Sequence, residues 1–298
     1  MQTKHKNILM LGGTGFFGIH AVNRLLEQGH HITIATRGKA SDPFEGRCRR
    51  IKLDRTNADS VSHALYGLEE FDVVLDNQAY CSNDIKNLLD VVRTRRFIFT
   101  STLSVYDEDL QMDMKESCFD PLSPGLVWCD RNEFPYSENK RQAERALFQA
   151  YSYIPSVALR LTCVIGPDNY TERLLFYVEN TVKGVPMHID NVDEQLSFIT
   201  SEASGAFLAW AALHDFTGPI NGANIGTVTL KEILKYVEDK TDIQPIFSPT
   251  GEPGPFNGVP SISQNMDLAK GLGFEFASLQ PELHKILDHY IERYSKQN

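Results

Sequence analysis

The sequence has no CxxC pair and no even set of cysteines. Its five thiols, Cys48, Cys81, Cys118, Cys129 and Cys163, are scattered, which argues against a disulfide framework or a cysteine-built zinc site. Nine histidines show no HxH or HExxH spacing, so no metal is expected. No apolar run approaches the roughly 20 residues of a membrane-spanning helix. The short apolar run before the first glycines is too brief for a signal-peptide core, and the cytoplasm, where thiols stay reduced, is the expected compartment. Basic charge is also scarce: 29 Lys and Arg stand against 39 Asp and Glu, a formal net charge of −10. Nucleic acids and anionic membranes call for a basic footprint, so neither is an expected partner; a small-molecule substrate is. No internal repeat is visible.

What is present is a regular alternation. Asn7–Leu11, His31–Thr36, Arg50–Leu53, Phe71–Leu75, Arg96–Ser101 and Ser156–Thr162 read as short strands. Between them Phe16–Gln28, Ser60–Leu68, Asp84–Thr94 and Tyr136–Tyr151 carry apolar residues at helical spacing. Strands that are apolar throughout and separated by helices predict a doubly wound, parallel, Rossmann-type sheet covered on both faces. Beyond about residue 165 the alternation weakens. Helices are expected over Arg173–Lys183, Ser204–His214, Leu230–Lys240 and Pro281–Tyr294, and a Pro/Gly-rich loop over Ser248–Ser263. The division is a dinucleotide-binding part, 1–165, and a smaller α/β substrate-binding lobe, 166–298, interleaved as one unit. Tyr106–Phe134 reads as a long crossover loop near the site.

Gly12-Gly13-Thr14-Gly15-Phe16-Phe17-Gly18 follows the first strand and opens the first helix. This is the context in which glycines let a backbone turn sharply and approach a pyrophosphate at a helix N-terminus. The second strand ends Thr36-Arg37-Gly38-Lys39. An NAD site would place Asp or Glu there for the ribose 2′-hydroxyl; Arg37 instead suits a 2′-phosphate, so NADP is favoured over NAD. Tyr136 and Lys140 stand i, i+4 at a helix start, on one face. An adjacent ammonium is expected to lower the phenol pKa toward the working range. Hydroxyls from Thr100 to Ser104 run off the carboxyl end of the fifth strand, where ligands of open α/β sheets bind.

Together these residues resemble the extended (atypical) short-chain dehydrogenase/reductase superfamily, in its NAD-dependent epimerase/dehydratase branch, over nearly the whole chain. The glycine motif matches the family fingerprint. Arg50–Asp54 resembles the third strand, Ser101–Tyr106 the SSxxVYG stretch, Arg160–Pro167 the RxxxVYGP stretch, and Asp267–Phe274 the DxxKAxxLG signature. The resemblance implies hydride transfer at a carbonyl/alcohol centre of a small or sugar-like substrate. In it Thr102 binds the substrate oxygen, Tyr136 is the general acid–base, and Lys140 holds the nicotinamide ribose and depresses the Tyr136 pKa. It implies cofactor contacts at Gly12, Gly15, Phe16, Phe17, Gly18, Arg37, Asp54, Arg55, Gln78, Ala79, Tyr80, Ser101 and Lys140. It also implies a homodimer through Asp84–Thr94 and Tyr136–Tyr151. Several positions depart from the family. HLAA reads Asp76-Asn77-Gln78-Ala79, the Asn that touches nucleotide-sugar phosphates falls on Cys163, the Asp-Glu pair of 4,6-dehydratases falls on Leu103 and Ser104, and the VYG glycine is Asp107. These departures disfavour 4,6-dehydratase chemistry. A second class stays open: Thr36-Arg37-Gly38 is similar to a plant group that keeps this fold as dinucleotide-binding regulators or RNA-associated proteins. Trp128 can stack on a substrate or anchor its loop, and His188 and Asp190 can line a cleft or a surface loop.

Overall fold

A computed structural model describes residues 5–39, 41–44, 46–106 and 110–295; Asp107 lies outside them. Its center is a seven-stranded sheet. Strands β1 (Asn7–Leu11), β2 (His31–Thr36), β3 (Arg49–Lys52), β4 (Val73–Asp76), β5 (Phe97–Thr102) and β6 (Ser156–Leu161) pair in parallel in the order β6-β5-β4-β1-β2-β3. Gly218–Gly222 adds a seventh parallel strand beside β6. The strand order reverses at β1, which opens a crevice at the carboxyl ends of β1 and β4.

Each face of the sheet has its own core. Helix α1 (Phe17–Glu27) and helix α6 (Ser201–Leu213) bury Val22, Leu25, Phe207 and Leu208 against Ile8, Met10 and Ile34. On the other face α2 (Ala58–Leu65), α3 (Ser82–Leu89) and α4 (Tyr136–Arg145) bury Val61, Ile85, Leu88 and Ala143 against Leu9, Val74 and Phe99. Asn57 caps α2 through its side chain, which accepts from the Ser60 N–H, one of the donors a helix start leaves without an intrahelical partner. Helix α4 runs on as one π-helical turn, Ala146–Ala150.

The second lobe is a third core. Helix α5 (Arg173–Lys183), α7 (Leu230–Thr241) and α8 (Leu279–Ser295) surround it, and the stripe Leu283, Ile286, Leu287, Tyr290 and Ile291 faces inward. Parts numbered within the lobe return to the sheet: α6 and Gly218–Gly222 complete it and its core, and Ala269 and Phe276 add to that core.

The helices expected to form a dimer face are already covered. Gln149 Nε2 donates to the Pro121 and Ser123 carbonyls, Gln142 Nε2 to Gly125, and Ser82 Oγ to Val127. Residues 121–129 thus lie across α3 and α4, and Asn139 to Glu144 are buried within the chain.

Candidate active site

A cleft of about 840 Å³ runs from the glycine loop, past the ends of β4 and β5, to the second lobe. The glycine loop is shaped as its sequence requires. Gly12 has φ +83°, a backbone region open to glycine. A Cβ on Gly18 would lie 2.2 Å from the Gly12 carbonyl oxygen, so only glycine lets α1 pack on the turn. A Cβ on Gly15 would meet nothing within 4 Å, so this side of the loop faces open space. No side chain caps α1. Open space against uncapped helical N–H groups suits the phosphates of a dinucleotide. Phe16 and Phe17 line the cleft, and Phe16 holds φ 50°, a conformation non-glycine residues rarely adopt. Its ring meets that of Tyr170 from the second lobe edge-on at 5.9 Å.

The loop after β4 is pinned from below. Asp76, fully buried, accepts the Gln78 and Ala79 N–H groups at 2.8 and 2.9 Å and the Arg55 guanidinium at 2.7 Å. This turns Gln78, Ala79 and Tyr80 onto the cleft wall. Arg55 itself is a correction: its side chain is buried between Asp76 and the Asp84 carbonyl, a strut under the loop and not a wall of the cleft. Arg37 and Asp54 also lie off the cleft wall. Arg37 is exposed just beyond β2. Asp54 accepts from Thr56, which holds its carboxyl below the usual range, with Arg37 and Lys39 adding a smaller pull. The three charges therefore share one exposed corner.

Beyond the end of β5, Tyr136 opens α4 with Thr102 near its phenol, and Lys140 lies one turn on. The Tyr136 ring is two-fifths exposed at the mouth, while its hydroxyl lies among protein atoms. Burial pushes the phenol up to about 12; Thr102 and, more weakly, Arg173 pull the other way. The Lys140 ammonium lies 6.0 Å from the centre of the Tyr136 ring, yet burial, not the expected lowering, decides the direction. Lys140, 5% exposed, donates to the Ala79 and Thr100 carbonyls at 2.8 Å each and sits 4.7 Å over the Phe99 ring. Burial lowers it to about 8. Two of its three N–H donors are thereby engaged.

Ser101 borders the cleft, and its hydroxyl donates to Glu144 at 2.5 Å. Glu144 also receives the Arg160 guanidinium at 2.6 Å, and Arg160 donates onward to Tyr106 and to the Glu116 and Phe119 carbonyls. This fully buried network went unread in the sequence, where Arg160 is only part of a motif. Arg131, Arg173 and Asn77 also line the cleft without having been singled out. Cys163 lies there too; burial raises its thiol, and Arg173 approaches its sulfur at 3.8 Å. Lys86 of α3 lies 5.9 Å over the Trp128 ring, which is outside the cleft lining. The His188 carbonyl and the Asp190 carboxylate hold residues 254–258.

A parallel doubly wound sheet with a glycine loop at its switch point defines a dinucleotide-binding α/β protein. The profile of the NAD dependent epimerase/dehydratase family matches residues 8–189, and the chain belongs to that family. Among curated proteins it is 25% identical over 210 residues to chloroplast stem-loop binding protein of 41 kDa b of Arabidopsis thaliana, covering 65% of this chain and 52% of that one. It is 24% identical over 311 residues to UDP-glucuronic acid decarboxylase 4 of the same plant, covering 92% and 66%. The chain thus spans about half to two thirds of the length of these relatives. Among solved structures, UDP-glucose 4-epimerase from Thermotoga maritima aligns with TM-score 0.74 at 19% identity, covering 98% of this chain and 99% of that one. An epimerase from Methanothermobacter thermautotrophicus aligns with TM-score 0.76 at 16%, covering 98% and 94%. At such identities these likenesses establish the fold.

Proposed function

We propose that the chain is a nicotinamide-dinucleotide-dependent oxidoreductase or epimerase acting at a carbonyl/alcohol centre of a small or sugar-like substrate. The observation that carries this reading is the convergence of Thr102, Tyr136 and the buried Lys140 on one cleft that begins at the glycine loop. A bound nicotinamide dinucleotide supplies the hydride acceptor or donor. Tyr136, held protonated by burial, gives its proton to the substrate oxygen during reduction. In oxidation it takes the alcohol proton, and a hydrogen bond from Thr102 steadies the phenolate. Lys140 has one N–H left that would hold a ribose hydroxyl, and Gln78, Ala79 and Tyr80 line the cleft beside it and would hold the same part of the cofactor. NADP is preferred over NAD; the exposed Arg37 and the absence of a carboxylate at the end of β2 support this. In the division of labour we propose, residues 1–165 serve the cofactor together with 201–222, and the remainder serves the substrate. Five free thiols fit the cytoplasm.

Tyr136→Phe tests the reading. It removes one hydroxyl and keeps the ring, so turnover should fall about 10²–10⁴-fold while cofactor affinity and fold stay unchanged. Full activity in the variant refutes it. The stem-loop binding relative favours a second reading, a dinucleotide-binding protein associated with RNA. A nucleic-acid shift assay at about 0.1 M salt beside an NADPH titration separates the two, and the net charge of −10 weighs against RNA.

A further inference from the structure

Two aromatic rings from opposite sides of the cleft meet at its edge. Phe16 sits in the glycine loop at the start of α1, and Tyr170 comes from the second lobe, in the loop between Ile165 and α5; both line the cleft. The rings stand edge-on at 5.9 Å. Even with this contact Tyr170 is 83% exposed. An aromatic ring left in water beside a cavity is further stabilised by burial when a ligand fills the space next to it.

The loop that carries Tyr170 is tied down on both sides of it. Asp168 accepts from the Ser201 hydroxyl of α6 at 2.7 Å, and His20 of α1 lies 3.1 Å from its other oxygen. Asn169 donates to the Val164 carbonyl and accepts from the Thr171 N–H and hydroxyl. Tyr290 of α8 donates to the Gly166 carbonyl at 2.7 Å. A Cβ on Gly166 would lie 2.4 Å from Ser201 Oγ and 2.7 Å from Asp168 Oδ1, so only glycine lets the chain fold this closely on α6. The loop therefore meets α1 at two points one helical turn apart, Asp168 on His20 and Tyr170 on Phe16. Phe16 itself holds φ 50° and ψ −139°, a conformation unfavourable for a phenylalanine, and the Tyr170 ring contributes to holding it.

We propose that Tyr170 is a cofactor-holding residue supplied by the second lobe: with Phe16 it closes over the diphosphate of a bound dinucleotide and slows its release. This rests on the reading of the cleft as a dinucleotide site. The diphosphate approaches the glycine loop at the start of α1. Phe16 belongs to that loop, so a ring placed on Phe16 from the other lobe stands over the way in and out. The loop stays fixed by Asp168 and Asn169, and the Tyr170 ring moves by side-chain rotation alone. Its contact with the dinucleotide exists only in the complex, so closure is favoured there and slows release while entry stays nearly unaffected.

The test is cofactor release from the intact protein. NADPH and NADH are bound in turn and followed by fluorescence, and release is timed in stopped flow after a chase with excess oxidised cofactor. Tyr170→Ala should release at least about threefold faster, the effect of one aromatic pair, with the association rate nearly unchanged. Tyr170→Phe keeps the ring and should release as wild type does. In a Phe16→Leu background Tyr170→Ala should add little, because the two rings act as a pair. ADP-ribose, which has the diphosphate and no nicotinamide, should lose affinity by the same factor in Tyr170→Ala, and AMP, which has no diphosphate, should not. Unchanged release in Tyr170→Ala, additive effects of the two substitutions, an unchanged ADP-ribose affinity or an equal loss for AMP overturns the proposal. The two readings fail separately. Dinucleotide binding with Tyr170-independent release refutes the role of Tyr170 and keeps the site. No binding of either dinucleotide to the wild type by about 1 mM refutes the site, and the role of Tyr170 with it.

Discussion

Lys140 is a charged group held where charge is unfavourable, and this has a measurable consequence for stability. Burial lowers its pKa from 10.5 to about 8. Below about pH 8 it is protonated in both the folded and unfolded chain, and the folded state bears the full penalty of burying the ammonium. Between about 8 and 10.5 the unfolded chain still binds the proton and the folded chain does not, so stability rises with pH through this window. At about 1.4 kcal/mol for each pH unit of the gap, the gain from this residue is about 3 kcal/mol. Lys140→Met removes the titration and keeps most of the volume. It also leaves the Ala79 and Thr100 carbonyls without their donor, at about 1–3 kcal/mol each, but that loss does not titrate. Urea unfolding of both proteins from pH 7 to about 10.5 gives the difference, in which the titrations shared by both proteins cancel. Wild type should gain about 3 kcal/mol on the variant across the window, and the variant should be inactive at every pH. A difference that stays flat would show that Lys140 is solvated and that its placement here is wrong.

The remaining expectations concern the cofactor and the core. Arg37→Ala should weaken NADP binding by roughly 1.5–3 kcal/mol and leave NAD untouched; equal affinities in the wild type refute the preference. Gly18→Ala puts a Cβ 2.2 Å from the Gly12 carbonyl, and should reduce affinity for either cofactor at least about tenfold by a strain of about 1–3 kcal/mol, read by titration. Arg160→Met leaves Glu144 charged and unpaired in the core, a loss of about 3–5 kcal/mol; adding Glu144→Gln should recover part of it in denaturant unfolding.

The parts that sequence makes legible are those where local chemistry permits few residues. The glycine loop needs Gly12 for its φ and Gly18 for the approach of α1, so it is readable before any fold is known. The apolar strands β1, β2, β4 and β5 are readable because both faces of the sheet are covered. Gly218–Gly222 is not, since Gly-Pro-Ile-Asn-Gly has the composition of a turn; it forms a strand only because β6 offers an open edge, where Pro219 is tolerated. Arg55 and Ser101 stand at motif positions, yet their orientation is decided by Asp76 and Glu144, 21 and 43 residues away. The pKa of Tyr136 shows the same limit. The i, i+4 spacing predicts the attraction of Lys140, but burial, which no spacing reports, prevails.

Helix α4 shows how far such burial reaches. Asn139, Lys140, Arg141, Gln142 and Glu144 make this a strongly polar helix, yet all five are buried. A helix so polar can be buried only against groups that satisfy it. Asn139 donates to the Arg131 and Phe134 carbonyls, Lys140 to Ala79 and Thr100, Arg141 to Val105 and Gln142 to Gly125, while Glu144 accepts from Ser101 and Arg160. Of those carbonyls, Ala79 and Val105 lie just past the carboxyl ends of β4 and β5, where the ladders have ended, and Thr100 lies near the end of β5. The same strand ends are where an open α/β sheet receives its ligand. The burial of α4 and the position of Tyr136 at its first turn therefore have one cause: the helix fits only where strand-end carbonyls await donors, and that is the floor of the cleft.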